Sequence, residues 1–354
     1  MGLAEAELDL LLLAVSFAVI LAGSELFTNG IEWFGHKLEL GEGAIGSVLA
    51  AIGTALPETM VPVIAIGFGG SVAASEIGVG AILGAPFMLA TLAMFVTGVA
   101  VWLMRGRRAS GTTLALDLGV VGHDMAYFGV AYAVAIGAAF LPVELEWPRR
   151  LVAVVLIGIY ARHVWGHWQA EAAGHEGLEP LRFHKLDRRA PQHPAPPRLL
   201  IISVQVVFAL ACIIGGAWAF VAAVKDLAAG PGVNGTLLAL LIAPVATELP
   251  ETLNSVLWVR RGKDTLAMGN ITGAMVFQSA IPTSIGLVFA PALWTVVGGG
   301  VAFASASVTL AASAAIFVPM VMRKRLGATA LLVGGIFYVA YLIVVVVTLA
   351  HPSL

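Results

Sequence analysis

The chain has 354 residues, of which 59% are hydrophobic and only 11% are charged, and its formal net charge is −2. Soluble domains carry about 25% charged residues, so this composition excludes an ordinary soluble globular protein and favours one that lies in a lipid bilayer. The single cysteine, Cys212, excludes an intrachain disulfide and falls in an apolar run, where we expect it to pack as a small side chain.

Apolar segments long enough to cross about 30 Å of hydrocarbon recur along the whole chain. They predict an all-α integral membrane protein with ten transmembrane helices. The predicted spans lie at about 8–34, 43–68, 75–104, 112–140, 148–168, 199–225, 233–259, 265–289, 293–320 and 328–350.

The distribution of basic residues supports this count of spans. Acidic residues precede the first span and no Lys or Arg occurs before Lys37, so we expect this span to be retained, with its N-terminus outside the cytoplasm. The loops that are then cytoplasmic hold 16 of the 19 Lys and Arg residues, as the positive-inside rule requires. The exceptions are Arg149, Arg150 and Lys225. The expected location is a cell membrane, namely a prokaryotic inner membrane.

One polar segment, residues 169–198, interrupts the apolar pattern after the fifth span. It predicts a cytoplasmic linker between a first five-helix repeat at 1–168 and a second at 199–354. The histidines in and beside the segment are His167, His175, His184 and His193. They could hold a metal ion, but their irregular spacing favours a solvated linker.

The two halves of the chain resemble each other. The second span contains AIGTALPETM and the seventh contains PVATELPETL, and their Pro-Glu elements are 193 residues apart. The same offset pairs Gly23 with Gly216, and a glycine-rich stretch follows each element. Because each half has an odd number of spans, the second copy must be inverted relative to the first. Inverted repeats of this kind are common in secondary transporters.

The Pro-Glu elements place Glu58, Glu248 and Glu251 at mid-membrane depth, where an ionised carboxylate costs about 3 kcal/mol. Each carboxylate must therefore face a polar cavity, pair with a cation or carry a proton. Pro57 and Pro250 remove backbone donors and leave carbonyl oxygens available to a cation. Hard oxygen ligands suit Ca²⁺, Mg²⁺ or Na⁺. The alternative is a helix kink whose carboxylate is capped by a neighbouring helix.

Hydroxyl groups accompany these carboxylates. Thr54 and Thr247 lie four residues before Glu58 and Glu251, so each pair is predicted to share a helix face. Glu248 shares the helix face of Thr247 and Glu251. Two adjacent buried carboxyl groups do not both stay charged without a cation, because their charges repel each other. Glu248 or Glu251 is therefore the candidate proton carrier.

These elements resemble the two α-repeats of the sodium/calcium exchanger family, within the calcium/cation antiporter superfamily. The family pattern is G-T-S-x-P-E in each repeat, followed by G-N-x-x-G-S-N-x-x-[ND]. The resemblance covers the first three and the sixth to eighth spans closely, with α-repeats at about 43–104 and 233–289. It implies an inverted five-plus-five fold that exchanges Ca²⁺ for Na⁺ or H⁺ by alternating access.

The resemblance also implies roles for individual residues. Glu58 and Glu251 match the cation-binding glutamates, Thr54 and Thr247 match threonines that line Na⁺ sites, and Gln278 stands where the second repeat has Asn or Asp. The candidate metal ligands are thus Glu58, Glu251, Thr54, Thr247, Glu248 and Gln278.

The sequence departs from the family pattern in the third span. Ala85, Pro86 and Leu89 stand where the pattern has polar residues, so this span offers no side-chain oxygen there. We therefore expect a lopsided site, weighted to the second repeat, with fewer Na⁺ ions than usual or with H⁺ as the counter-ion.

Other functions remain open at this stage. The cation could be Mg²⁺, Mn²⁺ or Na⁺ exchanged for H⁺, and the protein could be a cation channel or an intramembrane enzyme. The sequence contains no H-E-x-x-H and no G-x-S-x-G motif, and we expect neither catalytic residues nor a cofactor. The expected partners are inorganic cations and the lipid bilayer, with no nucleic acid, and the oligomeric state is open.

The fourth span carries Asp117, His123 and Asp124. The pair His123 and Asp124 could form a proton relay. The favoured interpretation is a pair that stabilises the helix and faces another span or a vestibule.

Overall fold

The computed structural model describes residues 3–37, 55–144, 146–168, 178–186, 197–228 and 248–350. Ten helices run through these residues, and we number them α1 to α10 in chain order. Their bounds are α1 Leu3–Lys37, α2 Leu56–Gly67, α3 Val72–Leu103, α4 Leu118–Gly137, α5 Glu146–Trp168, α6 Leu199–Ala228, α7 Leu249–Arg260, α8 Asp264–Phe289, α9 Val296–Arg323 and α10 Ala328–Ala350. A π-helical turn, Leu89–Ala93, interrupts α3.

Each of the ten predicted spans overlaps one of these helices. Seven of them are long and apolar enough to cross a membrane by themselves. The helices α2 and α7 have only 12 residues each, and most of the residues that precede them, 38–54 and 229–247, lie outside the described part of the chain. Large apolar side chains such as Leu11, Phe208 and Ile343 are exposed on the outer surface, as lipid contact requires.

The duplication seen in the sequence is also present in the local structure. Both α2 and α7 begin at a Leu-Pro pair, at Leu56 and at Leu249, which are 193 residues apart. One turn into each helix a threonine hydroxyl donates to a carbonyl four residues earlier, from Thr59 at 3.1 Å and from Thr252 at 2.9 Å. The two helix starts are therefore built in the same way.

The first helices of the two halves cross at paired glycines. A Cβ atom on Gly23 of α1 would lie 3.0 Å from Ile213 Cγ1, and one on Gly216 of α6 would lie 2.7 Å from Ile20 Cγ1. Small residues allow membrane helices to approach closely. The pairing of Gly23 with Gly216 in the sequence thus corresponds to a close crossing of α1 and α6.

Part of the linker packs against the helices. Leu181 is buried against Ile201 and Ile202 of α6, and the Phe183 backbone N–H donates to Gln205 Oε1 at 2.8 Å. Leu181 and Phe183 thus pack against the helices, whereas Pro180, Arg182, Lys185 and Leu186 of the same segment are exposed.

An ion pair joins the same linker segment to the end of α7. Arg261 donates to Glu179 Oε1 at 2.6 Å, and Arg182 donates to Glu179 Oε2 at 2.9 Å. The hydrogen bond from Arg261 holds the pKa of Glu179 below its usual value. The linker thus contacts the helix that carries one of the Pro-Glu elements.

One of the basic residues outside the predicted cytoplasmic loops is buried. Arg149 is 1% exposed and donates to the carbonyl oxygens of Leu141 at 2.6 Å, Trp294 at 2.9 Å and Pro291 at 3.1 Å. It thereby joins the connection between α4 and α5 to the connection between α8 and α9. Its position reflects a structural role that a count of charges cannot detect.

Replacing Arg149 with methionine is expected to lower the free energy of unfolding by about 3 kcal/mol or more. Three carbonyl groups lose a charged donor, and hydrogen bonds to charged groups contribute about 1.5–3 kcal/mol each. The measurement is thermal unfolding of the detergent-solubilised protein, followed by circular dichroism.

The matched control is Arg150→Met. The Arg150 side chain is 68% exposed and pairs with Glu146 on the helix surface, where such a pair contributes about 0.3–0.5 kcal/mol. Equal shifts in the two variants would show that Arg149 does not hold the two connections together.

Candidate functional site

The starts of α2 and α7 determine where two of the candidate glutamates lie. Proline is the second residue of each helix, where its missing N–H has no partner to lose. Glu58 and Glu251 follow directly and lie in the first turn. The unpaired N–H groups of a first turn and the helix dipole stabilise negative charge there.

The structure brings three glutamates to one point. One carboxylate oxygen from each of Glu58, Glu248 and Glu251 can be chosen so that all three lie within 4.8 Å of one another. We call these residues the carboxylate cluster. Glu58, Glu248 and Glu251 are 2%, 3% and 0% exposed, respectively, so the cluster is almost fully removed from solvent.

Gln278 of α8 completes the arrangement. Its Nε2 donates to Glu248 Oε1 at 2.8 Å, and the residue is fully buried. Four of the six residues proposed as metal ligands are thus adjacent. The other two, Thr54 and Thr247, lie outside the described residues.

Two oxygen atoms in this arrangement are available to a ligand. Glu248 Oε2 and Gln278 Oε1 are buried and accept no hydrogen bond from any residue that the structure describes. A buried polar atom without a partner costs about 1–3 kcal/mol. A bound cation or proton would remove that cost at the carboxylate.

Calcium coordination fits the observed spacing. Oxygens bound at about 2.3–2.6 Å from one Ca²⁺ lie at most about 5 Å apart. The 4.8 Å limit of the carboxylate cluster is therefore compatible with a single ion that contacts all three side chains.

The rest of α8 fixes α7 in place. Asn270 Nδ2 donates to the Glu251 carbonyl oxygen at 3.3 Å, and Ser255 Oγ of α7 donates to the Ala267 carbonyl oxygen at 2.9 Å. We did not single out Asn270 from the sequence. Its signal was present, because Gly269 and Asn270 match the G-N that opens the second element of the family pattern.

The first repeat contributes less to the site than the second. Residues 84–89 of α3 are buried but carry no side-chain oxygen, and Pro86 lies inside the helix, ahead of the π-helical turn. Proline lacks an N–H, so the helix is irregular here. Among the described residues, Glu58 of the first repeat thus meets Glu248, Glu251 and Gln278 of the second, and a binding site weighted to the second repeat stays a prediction.

Apolar helices, a duplicated Pro-Glu helix start and buried carboxylates from both halves define the class of membrane proteins that are built from inverted repeats. The comparison with protein families is more specific. The family model described as "Sodium/calcium exchanger protein" matches residues 8–168 and 201–350, and the chain belongs to this family.

The chain is similar to a curated relative and to several solved structures. The putative antiporter CaxA of Alkalimonas amylolytica is 29% identical over 134 residues, which are 38% of this chain and 40% of that protein. The crystal structure of the H⁺/Ca²⁺ exchanger CAX superposes with a TM-score of 0.71 at 19% identity, over 94% of this chain and 82% of that one. The sodium-calcium exchanger NCX_Mj superposes with a TM-score of 0.61 at 16% identity, over 95% of this chain and 98% of that one.

These likenesses confirm the predicted fold class, an all-α membrane protein with ten helices in two inverted repeats. The match to the curated relative spans less than half of that protein's length. The ligand roles of the six candidate residues stay predictions.

Proposed function

We propose that this protein is a secondary active cation antiporter that exchanges Ca²⁺ for Na⁺ or H⁺ by alternating access at the carboxylate cluster. The observation that carries the proposal is the convergence of Glu58, from one repeat, with Glu248 and Glu251, from the other, within 4.8 Å. The similar structures, an H⁺/Ca²⁺ exchanger and a sodium-calcium exchanger, support Ca²⁺ as the transported ion.

The electrostatics of the cluster explain why transport would be an exchange. Two carboxylates 4.8 Å apart repel each other by about 3 kcal/mol at an effective dielectric constant of about 20. An empty site with three ionised carboxylates is therefore unstable, and after Ca²⁺ leaves, other cations must neutralise the charge before the protein changes its conformation. This requirement couples the export of one cation to the import of another.

The asymmetry of the site bears on the counter-ion. Because α3 contributes no side-chain oxygen between residues 84 and 89, few ligands remain for several separate Na⁺ ions. Protons need no coordination shell and bind directly to carboxylates. We therefore infer fewer Na⁺ ions than usual or H⁺ as the counter-ion, with Thr54, Thr247 and Gln278 as further oxygen ligands.

The test uses purified protein in sealed liposomes. Uptake of radioactive Ca²⁺ is measured under an imposed Na⁺ gradient, under an imposed pH gradient and with neither, and Mg²⁺ and Mn²⁺ are added as competitors. Uptake driven by one gradient and absent without it supports antiport and identifies the counter-ion. Equal uptake in all three conditions contradicts coupled exchange, and flux far above carrier rates favours a channel.

We further propose that the protein lies in a prokaryotic inner membrane with its N-terminus outside and the 169–198 linker in the cytoplasm. The test places one cysteine on either side of the membrane in a Cys212→Ala background. Both positions are exposed; Arg107 lies in the connection before α4 and Glu144 in the connection after it, so they flank opposite ends of this helix. A membrane-impermeant maleimide applied to intact cells should label Glu144→Cys and leave Arg107→Cys unlabelled. The reverse labelling would overturn the orientation.

A further inference from the structure

A second group of buried ligand-type side chains lies between α4, α5 and α8. We call it the histidine cluster, and its members are His123, Asp124, His163 and His167. One ring nitrogen of each histidine and one carboxylate oxygen of Asp124 lie within 4.8 Å of one another. Asp124 and His163 are fully buried, His167 is 5% exposed and His123 is half-buried, so the group lies mostly in the interior with one edge near the surface.

The sequence of α5 explains how the histidines meet. His163 and His167 are four residues apart, so their side chains lie one turn apart on the same face. Gly166 leaves room for a third ring, because a Cβ atom there would lie 3.1 Å from His123 Nε2. A larger residue at position 166 would push His123 away from α5.

Asp124 is at the centre of the cluster. Its Oδ1 lies 2.9 Å from His163 Nε2 and 2.8 Å from His167 Nε2. Its Oδ2 accepts a hydrogen bond from Thr272 Oγ1 of α8 at 2.7 Å. A hydroxyl group that orients a carboxylate in this way is typical of the surroundings of a metal ligand.

The hydrogen bonds of the cluster do not use all of its nitrogens. His123 Nδ1 and His163 Nδ1 are buried and have no hydrogen-bond partner among the described residues. Buried polar atoms in a purely structural network are normally paired, since each unpaired atom costs about 1–3 kcal/mol. Within the part of the chain that the structure describes, the histidine network is therefore incompletely hydrogen-bonded, and His163 Nε2, which faces Asp124, is the nitrogen that would bind an ion.

Three imidazoles and one carboxylate form a ligand set suited to zinc, whereas the carboxylate cluster offers only oxygen atoms. Ligand atoms about 2.0–2.1 Å from a tetrahedral Zn²⁺ lie about 3.3 Å apart. The nitrogen to oxygen distances of 2.8 and 2.9 Å would have to widen by only about 0.5 Å to admit the ion.

We propose that the histidine cluster is a second metal site that binds Zn²⁺ or a similar nitrogen-preferring divalent cation, separate from the site of the transported ion. Thr272 and Gln278 are six residues apart on α8, so the contacts of the two clusters with this helix are about 9 Å apart along its axis. A bound ion would join α4 to α5, with Asp124 oriented by α8.

The test is zinc binding by tag-free protein that has been stripped with a chelator, measured by isothermal titration calorimetry. We expect one Zn²⁺ per chain and an affinity at least about 100-fold weaker in His167→Ala, because the loss of even an outer partner of a metal ligand costs about 10–100-fold. His184→Ala is the matched control, since His184 lies in the linker segment, and it should bind zinc as the wild type does. Glu251→Gln should also keep its zinc.

X-ray absorption at the zinc edge of the wild-type protein provides a second readout that does not depend on the folding of a variant. We expect scattering from imidazole rings and a four-coordinate shell. The proposal is overturned by the absence of stoichiometric zinc, by an all-oxygen shell, by unchanged affinity in His167→Ala, or by loss of zinc in Glu251→Gln. These outcomes are independent of whether the protein transports Ca²⁺.

Discussion

Replacement of Glu58 or Glu251 by glutamine is expected to abolish Ca²⁺ exchange and to weaken Ca²⁺ binding by about two to three orders of magnitude. Both residues are almost fully buried, at 2% and 0% exposure, and removal of one partner from a buried charge pair costs about 3–5 kcal/mol. Each 1.4 kcal/mol corresponds to a tenfold change in affinity. The measurements are Ca²⁺ titration of purified protein and radioactive Ca²⁺ uptake into liposomes.

Glutamine keeps the shape of glutamate, so the comparison isolates the charge. The control is Glu146→Gln, which makes the same chemical change at a side chain that is 67% exposed on α5. It should leave both binding and uptake unchanged. If both Glu58→Gln and Glu251→Gln bind Ca²⁺ as tightly as the wild type, the carboxylate cluster is not the ion site.

The fold was largely predictable from the sequence because bilayer crossing depends on segment length and apolarity. The ten spans follow from hydropathy, and the offset of 193 residues between the Pro-Glu elements reappears as helix starts at Leu56 and Leu249. Gly23 and Gly216, which the same offset pairs in the sequence, lie where α1 and α6 pack closely, a contact that the offset by itself did not predict.

Other features depend on contacts that a sequence pattern does not contain. Leu181 lies in a polar segment, and it is buried in an apolar cluster with Ile201 and Ile202 of α6, against which side chains of α1 also pack. Arg149 was an exception to the charge distribution, and its three carbonyl partners belong to two connections that are distant in sequence. In both cases the burial results from tertiary packing rather than from local composition.

The candidate sites were predictable to different degrees. The glutamates of the carboxylate cluster stand out because charged residues are rare within membrane spans. His163 did not, because a single histidine within an apolar span gives no signal until its neighbour four residues on, His167, is considered with it. The approach of Asp124 on α4 to both histidines required the packing of two helices.

Replacement of Glu248 by glutamine is expected to keep Ca²⁺ binding within about tenfold while changing its pH dependence. Glu58 and Glu251 lie in the first turns of α2 and α7, where the helix dipoles stabilise negative charge, whereas Glu248 Oε1 already accepts a hydrogen bond from Gln278. We therefore expect Glu58 and Glu251, rather than Glu248, to provide the two charges that balance Ca²⁺. Protons compete with Ca²⁺ for carboxylates, so affinity falls as pH falls, and the slope counts the protons displaced. In a plot of log Kd for Ca²⁺ against pH, the slope should correspond to about one fewer displaced proton in Glu248→Gln than in the wild type.

The contribution of the charge must be separated from that of the hydrogen bond, because Gln278 Nε2 donates to Glu248 Oε1 at 2.8 Å. Gln278→Met removes the donor and keeps the acid, so its slope should match that of the wild type even if its affinity is lower. Equal slopes in Glu248→Gln and the wild type would show that Glu248 does not exchange a proton for Ca²⁺.

Because the site holds three carboxylates and Ca²⁺ balances only two of their charges, the counter-ion must neutralise the third.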